Sequence, residues 1–394
     1  MTYRFLLLLP FWLLVHPATA QLFDQPAFRP AALAGMNQTY NLNFAGAAAT
    51  FDALQQQYPD HPAPYFLQAF NRWWQTYLSV THEVHYDYIE ERLELADDKV
   101  DALEDEPGYG PELAFFDFML HALEARSHAY RNQWWSAMNA ARRSIGPLEA
   151  CIDYVGQASE FDMVAGVYHY YVATYHQNHP VIRPVLSFFP PGDVAQGLAE
   201  LERAARTPDH LAQVEAMYFL GTIYSDEIDR PQAGVALTRK LAQRFPRNTW
   251  FQNDYGHALM GAGEVEAALA QLQPLIRAYE AQPGHATRHL TSQTTRHTTY
   301  LMMRVYHNRA RVAMLQGKYR EALAFFAQSN QVATLAEVEE DFYLPANQLY
   351  LGMCHDYLGQ REQAKDAYEE VLELAENEPY KPQAKQYLDT PATP

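Results

Sequence analysis

Histidines spaced three, four and seven residues apart are the first places in this chain where chemistry could reside. His82-Glu83-Val84-His85 lies close to the zinc-protease pattern H-E-x-x-H. That pattern sets its histidines at i and i+4, so that both imidazoles reach one ion. Here the spacing is three and Glu83 is displaced relative to the second histidine, so a solvated helix face is expected. In VYHYYVATYHQNH, Val167 to His179, the pair His169 and His176 shares a helix face. Two turns separate the pair by about 10 Å, too far for one ion. His176 and His179 are closer but have no third ligand. His285, His289 and His297 fall in GHATRHLTSQTTRH, where His285 and His289 would chelate only on a helix. Tyr168, Tyr170, Tyr171 and Tyr175 cover several faces of one helix, the pattern of a buried helix with hydroxyls bonded at its edges. No G-x-S-x-G elbow, phosphate-binding glycine loop or supported Cys–His pair is present. The reading is therefore of no catalytic residue, no metal ion and no cofactor.

Charge narrows the choice of partner. The 394 residues carry 29 Lys and Arg against 47 Asp and Glu, a formal charge of −18. Such a chain repels polyanions, so neither nucleic acid nor an anionic membrane surface is an expected partner. Its first twenty residues, MTYRFLLLLPFWLLVHPATA, hold one early cation, Arg4, an apolar stretch from Phe5 to Val15, and Ala18-Thr19-Ala20. These are the three parts of a secretory signal, with cleavage expected after Ala20. The apolar stretch is shorter than the roughly 20 residues of a spanning helix, and no later run approaches that length. Export to the periplasm or beyond is expected, with no membrane segment after cleavage. Cys151 and Cys354 are read as buried small apolar side chains, too far apart in an elongated fold to pair. Asn37-Gln38-Thr39 fits a glycosylation sequon, relevant only in a host that glycosylates.

Helical periodicity runs through the rest, and strand signals are scarce. The clearest unit is QLYLGMCHDYLGQREQAKDAYEEVLELAENEP. Gly352 sits on its first helix, Gly359-Gln360 makes a turn, and Ala364 and Tyr368 follow on the second helix. The same anchors recur as Gly221, Ala233 and Leu237, as Gly256, Ala268 and Leu272, and as Ala310, Ala322 and Phe326. In every unit the small residues are twelve apart and the large one follows four later. Small residues let the two helices approach, and the large one fills the groove beside them.

This pattern resembles the tetratricopeptide repeat, a helical hairpin of about 34 residues with the signature W-x₂-L-G-x₂-Y…A-x₃-F…P. The resemblance implies an all-α, right-handed superhelical solenoid of about eight hairpins over residues 21–388, elongated or curved. Its clearest repeats are 214–246, 249–283, 303–336 and 345–379, and KPQAKQYL is a polar capping helix. The segment QLFDQ and the tail 389–394 are expected to be disordered. Gly166 to Ala205 is more particular: an aromatic-rich helix, the Pro-bracketed loop VIRPVLSFFPPG, then GD and GLAELERAA. It looks like secreted bacterial tetratricopeptide proteins of unassigned activity, and is distantly similar to a eukaryotic family associated with the mitochondrial outer membrane. The loop is expected to be an ordered turn insertion within one repeat, its phenylalanines packed on neighbouring helices.

The resemblance further implies that the chain binds a protein or peptide on a concave wall made of the first helices. Positions 2, 5, 9 and 12 of each repeat face that wall. They read Glu215, Tyr218, Thr222 and Ser225, then Trp250, Asn253, His257 and Met260, then Arg304, His307, Arg311 and Met314. Tyr218, Trp250, Asn253, His257, Arg304, His307 and Arg311 are the expected contacts. Chaperone-binding members grip a peptide carboxylate with Lys at position 5 and Asn at position 9. Here those positions read Tyr218/Thr222, Asn253/His257, His307/Arg311 and Leu349/Met353, so that ligand is not carried over. Arg304 and Arg311 remain as cations for an acidic partner. Two alternatives stand beside this reading. One is a metal- or small-molecule-binding protein or enzyme with a His- and Tyr-lined site in the groove. The other is a scaffold attached to a membrane protein of the envelope.

Overall fold

A computed structural model describes residues 22–77, 83–106, 110–131, 133–178, 190–208, 210–282, 293–335, 343–374 and 379–394. The expected signal segment lies outside these residues, as do His82, His179, His285, His289 and most of the Pro-bracketed loop.

Every regular element among the described residues is helical, and the helices pair in chain order. Helix α1 (Phe28–Tyr40) packs on α2 (Phe44–Gln57), and α3 (Pro62–Tyr77) on α4 (Glu83–Leu103). Next, α5 (Gly110–Tyr130) packs on α6 (Trp134–Arg143) and α7 (Ile145–Asp153), and α8 (Ser159–Asn178) on α9 (Val194–Arg206). The series continues with α10 (Gln213–Thr222) on α11 (Pro231–Arg244) and α12 (Thr249–Gly261) on α13 (Val265–Glu280). It ends with α14 (Gln293–Leu315) on α15 (Tyr319–Leu335), and α16 (Tyr343–Tyr357) on α17 (Arg361–Glu373), capped by α18 (Lys381–Asp389). This is an all-α repeat solenoid.

The repeat anchors explain the pairing. A methyl added at Gly352 would stand 2.3 Å from the Tyr368 ring, and one at Gly256 would stand 2.6 Å from Leu272. Each glycine therefore gives the partner helix's large side chain its seat. The first hairpin uses the same device, since a methyl at Gly35 would meet the Phe51 ring at 2.3 Å. In α8–α9 the contact is Gly166 against Leu201 and Gly197. The Pro-bracketed loop thus joins the two helices of one hairpin. Its described end is seated on α8, where the Tyr168 hydroxyl donates to the Pro190 carbonyl.

Helices α1 and α3 lie against α10–α12, and one expectation changes, that of disordered ends. Tyr40 packs its ring on Trp74, Phe245 and Phe251. Its hydroxyl donates to Glu215 at 2.8 Å, and its carbonyl accepts from Asn248 at 2.9 Å. Burying this aromatic face against a later repeat is worth more than leaving both in water, so the early concave surface is filled. The ends are also ordered: Leu22 and Ala392 are buried, Phe23 N donates to Glu112, and Ala392 N donates to Asp356. Cys151 and Cys354 are free and buried.

Candidate functional site

Where the early repeats do not reach, the first helices of the later hairpins enclose a cavity of about 500 Å³. Its walls come from α10, the π-helical turn Ile223–Glu227 that extends it, α12, α14 and α16, with Tyr380 closing one side. Of the seven expected contact residues, Tyr218, Trp250, His257, Arg304, His307 and Arg311 line it. Asn253 does not. It is buried behind the wall, where its Oδ1 accepts from Asn308 Nδ2 at 3.0 Å. Glu215 and Met260 also leave the wall: Glu215 holds the Tyr40 hydroxyl and Met260 joins the core.

The cations in this cavity have different roles. The Arg304 guanidinium lies over the Trp250 ring, 3.5 Å from its centre. It also donates to the Tyr343 hydroxyl at 2.8 Å and to Asp254 at 3.4 Å. That three-way hold makes Arg304 part of the wall. Arg311 stands 5.6 Å from the centre of the Tyr350 ring and makes no hydrogen bond with any described residue. Its planar fork of donors faces a space walled by Tyr218, Tyr343, Tyr350 and Tyr380.

The histidines are committed. His257 Nε2 meets Asp226 Oδ1 at 2.6 Å, and Nδ1 faces Asn308 Oδ1 at 3.3 Å. Burial pushes the Asp226 carboxyl up, but His257, Arg311 and Arg304 outweigh it and hold the group below its usual range. Burial lifts Asp254 above its usual range despite Arg304. His307 Nδ1 lies 2.6 Å from Asn347 Oδ1, while Asn347 Nδ2 donates to Ser329 and Asn330. The amide oxygen can only accept, so His307 carries its proton on Nδ1. Burial, reinforced by Arg311, drives its pKa down to about 3, which keeps the ring neutral. Ser225 lines the same cavity, but both nitrogens of His257 are engaged elsewhere, so no Ser–His pair forms. The geometry is suited to gripping an anionic group among aromatic rings.

Of the other histidines, His85 faces Arg72 at 3.3 Å and is buried, not on a solvated face. His169 is paired with Glu200 at 2.7 Å. Asp226, Asp254, Tyr343, Tyr350 and Tyr380 complete the cavity and were not among the expected contacts.

A family model described as tetratricopeptide repeat matches residues 301–377, which span α14 to α17. These two hairpins are tetratricopeptide repeats. The match covers the two hairpins that carry Arg304, His307, Arg311, Tyr343 and Tyr350, so the C-terminal half of the cavity is built by tetratricopeptide repeats. No curated protein matches the chain. No helix among the described residues is long and apolar enough to cross a membrane.

Proposed function

We propose that this protein is exported and serves as a non-catalytic tetratricopeptide scaffold. Its cavity takes a short segment of a protein partner and seats an acidic group of that segment on Arg311. One observation carries the reading: Arg311 has no hydrogen-bond acceptor among the described residues, with Asp226 near enough only for charge attraction, and it lines a cavity of about 500 Å³ walled by tyrosines. Tyrosine and arginine are the side chains that most often dominate binding energy at protein interfaces. Export is supported by the leader-like first twenty residues, and an envelope protein is the partner that compartment would offer.

The test is capture from native envelope extracts by wild type and by Arg311→Ala. The expected result is a partner held by wild type and lost by the variant, at unchanged melting temperature. Equal capture by both would overturn the groove reading. Mass spectrometry of native protein should find Gln21 at the N-terminus, and retention of residues 1–20 would overturn export. The cavity's volume also suits a small anionic molecule. Native mass spectrometry of protein purified from its host separates this second reading, because a bound small molecule would appear as a discrete added mass.

A further inference from the structure

Between α4 and α5, far from the groove in sequence, lies a second concentration of polar groups. Asp117 and His121 are one turn apart on α5, and Asp97 faces them from α4. His121 Nε2 stands 3.2 Å from Asp117 Oδ1 and 3.8 Å from Asp97 Oδ1. The His121 side chain is only 6% exposed, yet its Nδ1 has no well-aligned hydrogen-bond partner. Asp117 likewise receives no hydrogen bond from any described residue. One ligand atom from each of Asp97, Asp117 and His121 lies within 4.8 Å of the other two.

Charge does not close around this cluster. Asp97, Asp117 and Glu124 meet a single guanidinium, that of Arg143, which bonds Asp97 Oδ2 at 3.3 Å and also Glu124. Three carboxylates against one guanidinium leave two negative charges in excess of the arginine, in a half-buried site where like charges repel. A divalent cation would neutralise both. Ligand atoms held tetrahedrally about 2.1 Å from an ion stand about 3.4 Å apart, and His121 Nε2 lies 3.2 and 3.8 Å from the two carboxylate oxygens. The outer nitrogen fits as well: His121 Nδ1 faces Glu124 Oε2 at 3.5 Å. Metal-bound histidines usually present their second nitrogen to such a carboxylate.

We infer that Asp97, Asp117 and His121 bind one divalent cation of the zinc class, with Glu124 orienting the His121 ring. Two carboxylate oxygens and one imidazole form a mixed set that suits Zn²⁺ better than Ca²⁺ or Mg²⁺. Since α4 closes one hairpin and α5 opens the next, the ion would join consecutive repeats.

The test uses tag-free full-length protein stripped with chelating resin and titrated calorimetrically with zinc chloride, and separately with manganese chloride. Wild type should take up about one equivalent of zinc, more tightly than manganese, with a rise in melting temperature. Asp117→Asn, nearly isosteric, and His121→Gln should lose that binding, and Glu124→Gln should weaken it by about tenfold or more. His257→Ala, in the groove, should bind zinc as wild type does. If a ligand variant is unfolded by circular dichroism, Asp97→Asn takes its place. Folded wild type that takes up no zinc, or Asp117→Asn and Asp97→Asn binding with wild-type affinity, would overturn the proposal.

Discussion

Glu160 has no exposed side-chain surface, yet it stays ionised. Burial pushes its carboxyl up, but the His210 hydrogen bond and Arg29 outweigh burial and hold it at about 2. Its folded pKa lies below the ordinary 4.5, so the folded state binds fewer protons than the unfolded chain. Its stabilisation is full above about 4.5 and is lost as pH falls from there through about 2. The shift corresponds to roughly 3 kcal/mol. Glu160→Gln should lower the melting temperature at neutral pH and flatten the decline between about 4.5 and 2. An acid decline as steep in the variant as in wild type would refute the assignment. His307 acts in a separate window. With its folded pKa near 3 against the ordinary 6.5, it favours the folded state fully above about 6.5 and progressively less as pH falls. Between pH 6.5 and 5 it should account for about 2 kcal/mol of lost stability. Denaturant melts of His307→Gln should show that part of the pH dependence missing, in an interval where Glu160 scarcely contributes.

At the scale of the element, the hairpins rest on steric seats that can be tested one at a time. A methyl at Gly352 would stand 2.3 Å from the Tyr368 ring, so Gly352→Ala should cost about 1–3 kcal/mol. Combining it with Tyr368→Leu should cost less than the sum of the two single changes, because the smaller side chain vacates the seat. Additive losses would mean that the two residues do not share the contact. These seats are also why the hairpins were legible: a fixed spacing of small and large residues is a local property. Gly35, Ala47 and Phe51 obey the same spacing in the first hairpin. Gly166 and Gly197 escape it because a long loop separates them. The cavity was readable where repeat register decides the face, as for Trp250, His257 and Arg311. Asp226 was not, since a π turn changes the register there. Tyr343 and Tyr380 were not, since both lie outside the numbered repeat positions. Asp97 and His121 meet across a junction between hairpins, and no local spacing encodes that meeting.

For the whole molecule, the return of α1 onto α10–α12 changes how stability should be distributed. One continuous core runs from Leu22 to Ala333, while Ala310–Cys354 and Leu349–Ala384 form smaller clusters of their own. An open solenoid would unfold from either end in small steps. Here Tyr40 ties the N-terminal end to the middle, so Tyr40→Ala should cost about 3–5 kcal/mol and loosen α1, α3 and α12 together. Among the described residues the C-terminal hairpin has no such tie to a distant repeat. In hydrogen exchange α16–α18 should open at a lower free energy than α10–α13. The cavity straddles that boundary: Tyr218, Trp250 and Tyr343 belong to or pack on the large core, whereas Tyr350 and Tyr380 pack with the smaller clusters. A segment seated on Arg311 would touch both sides and add contacts that only the closed form offers. Partner binding should therefore slow exchange in α16–α18 far more than in α10–α13. Protection confined to α10–α13, or spread evenly along the chain, would place the partner somewhere other than this cavity.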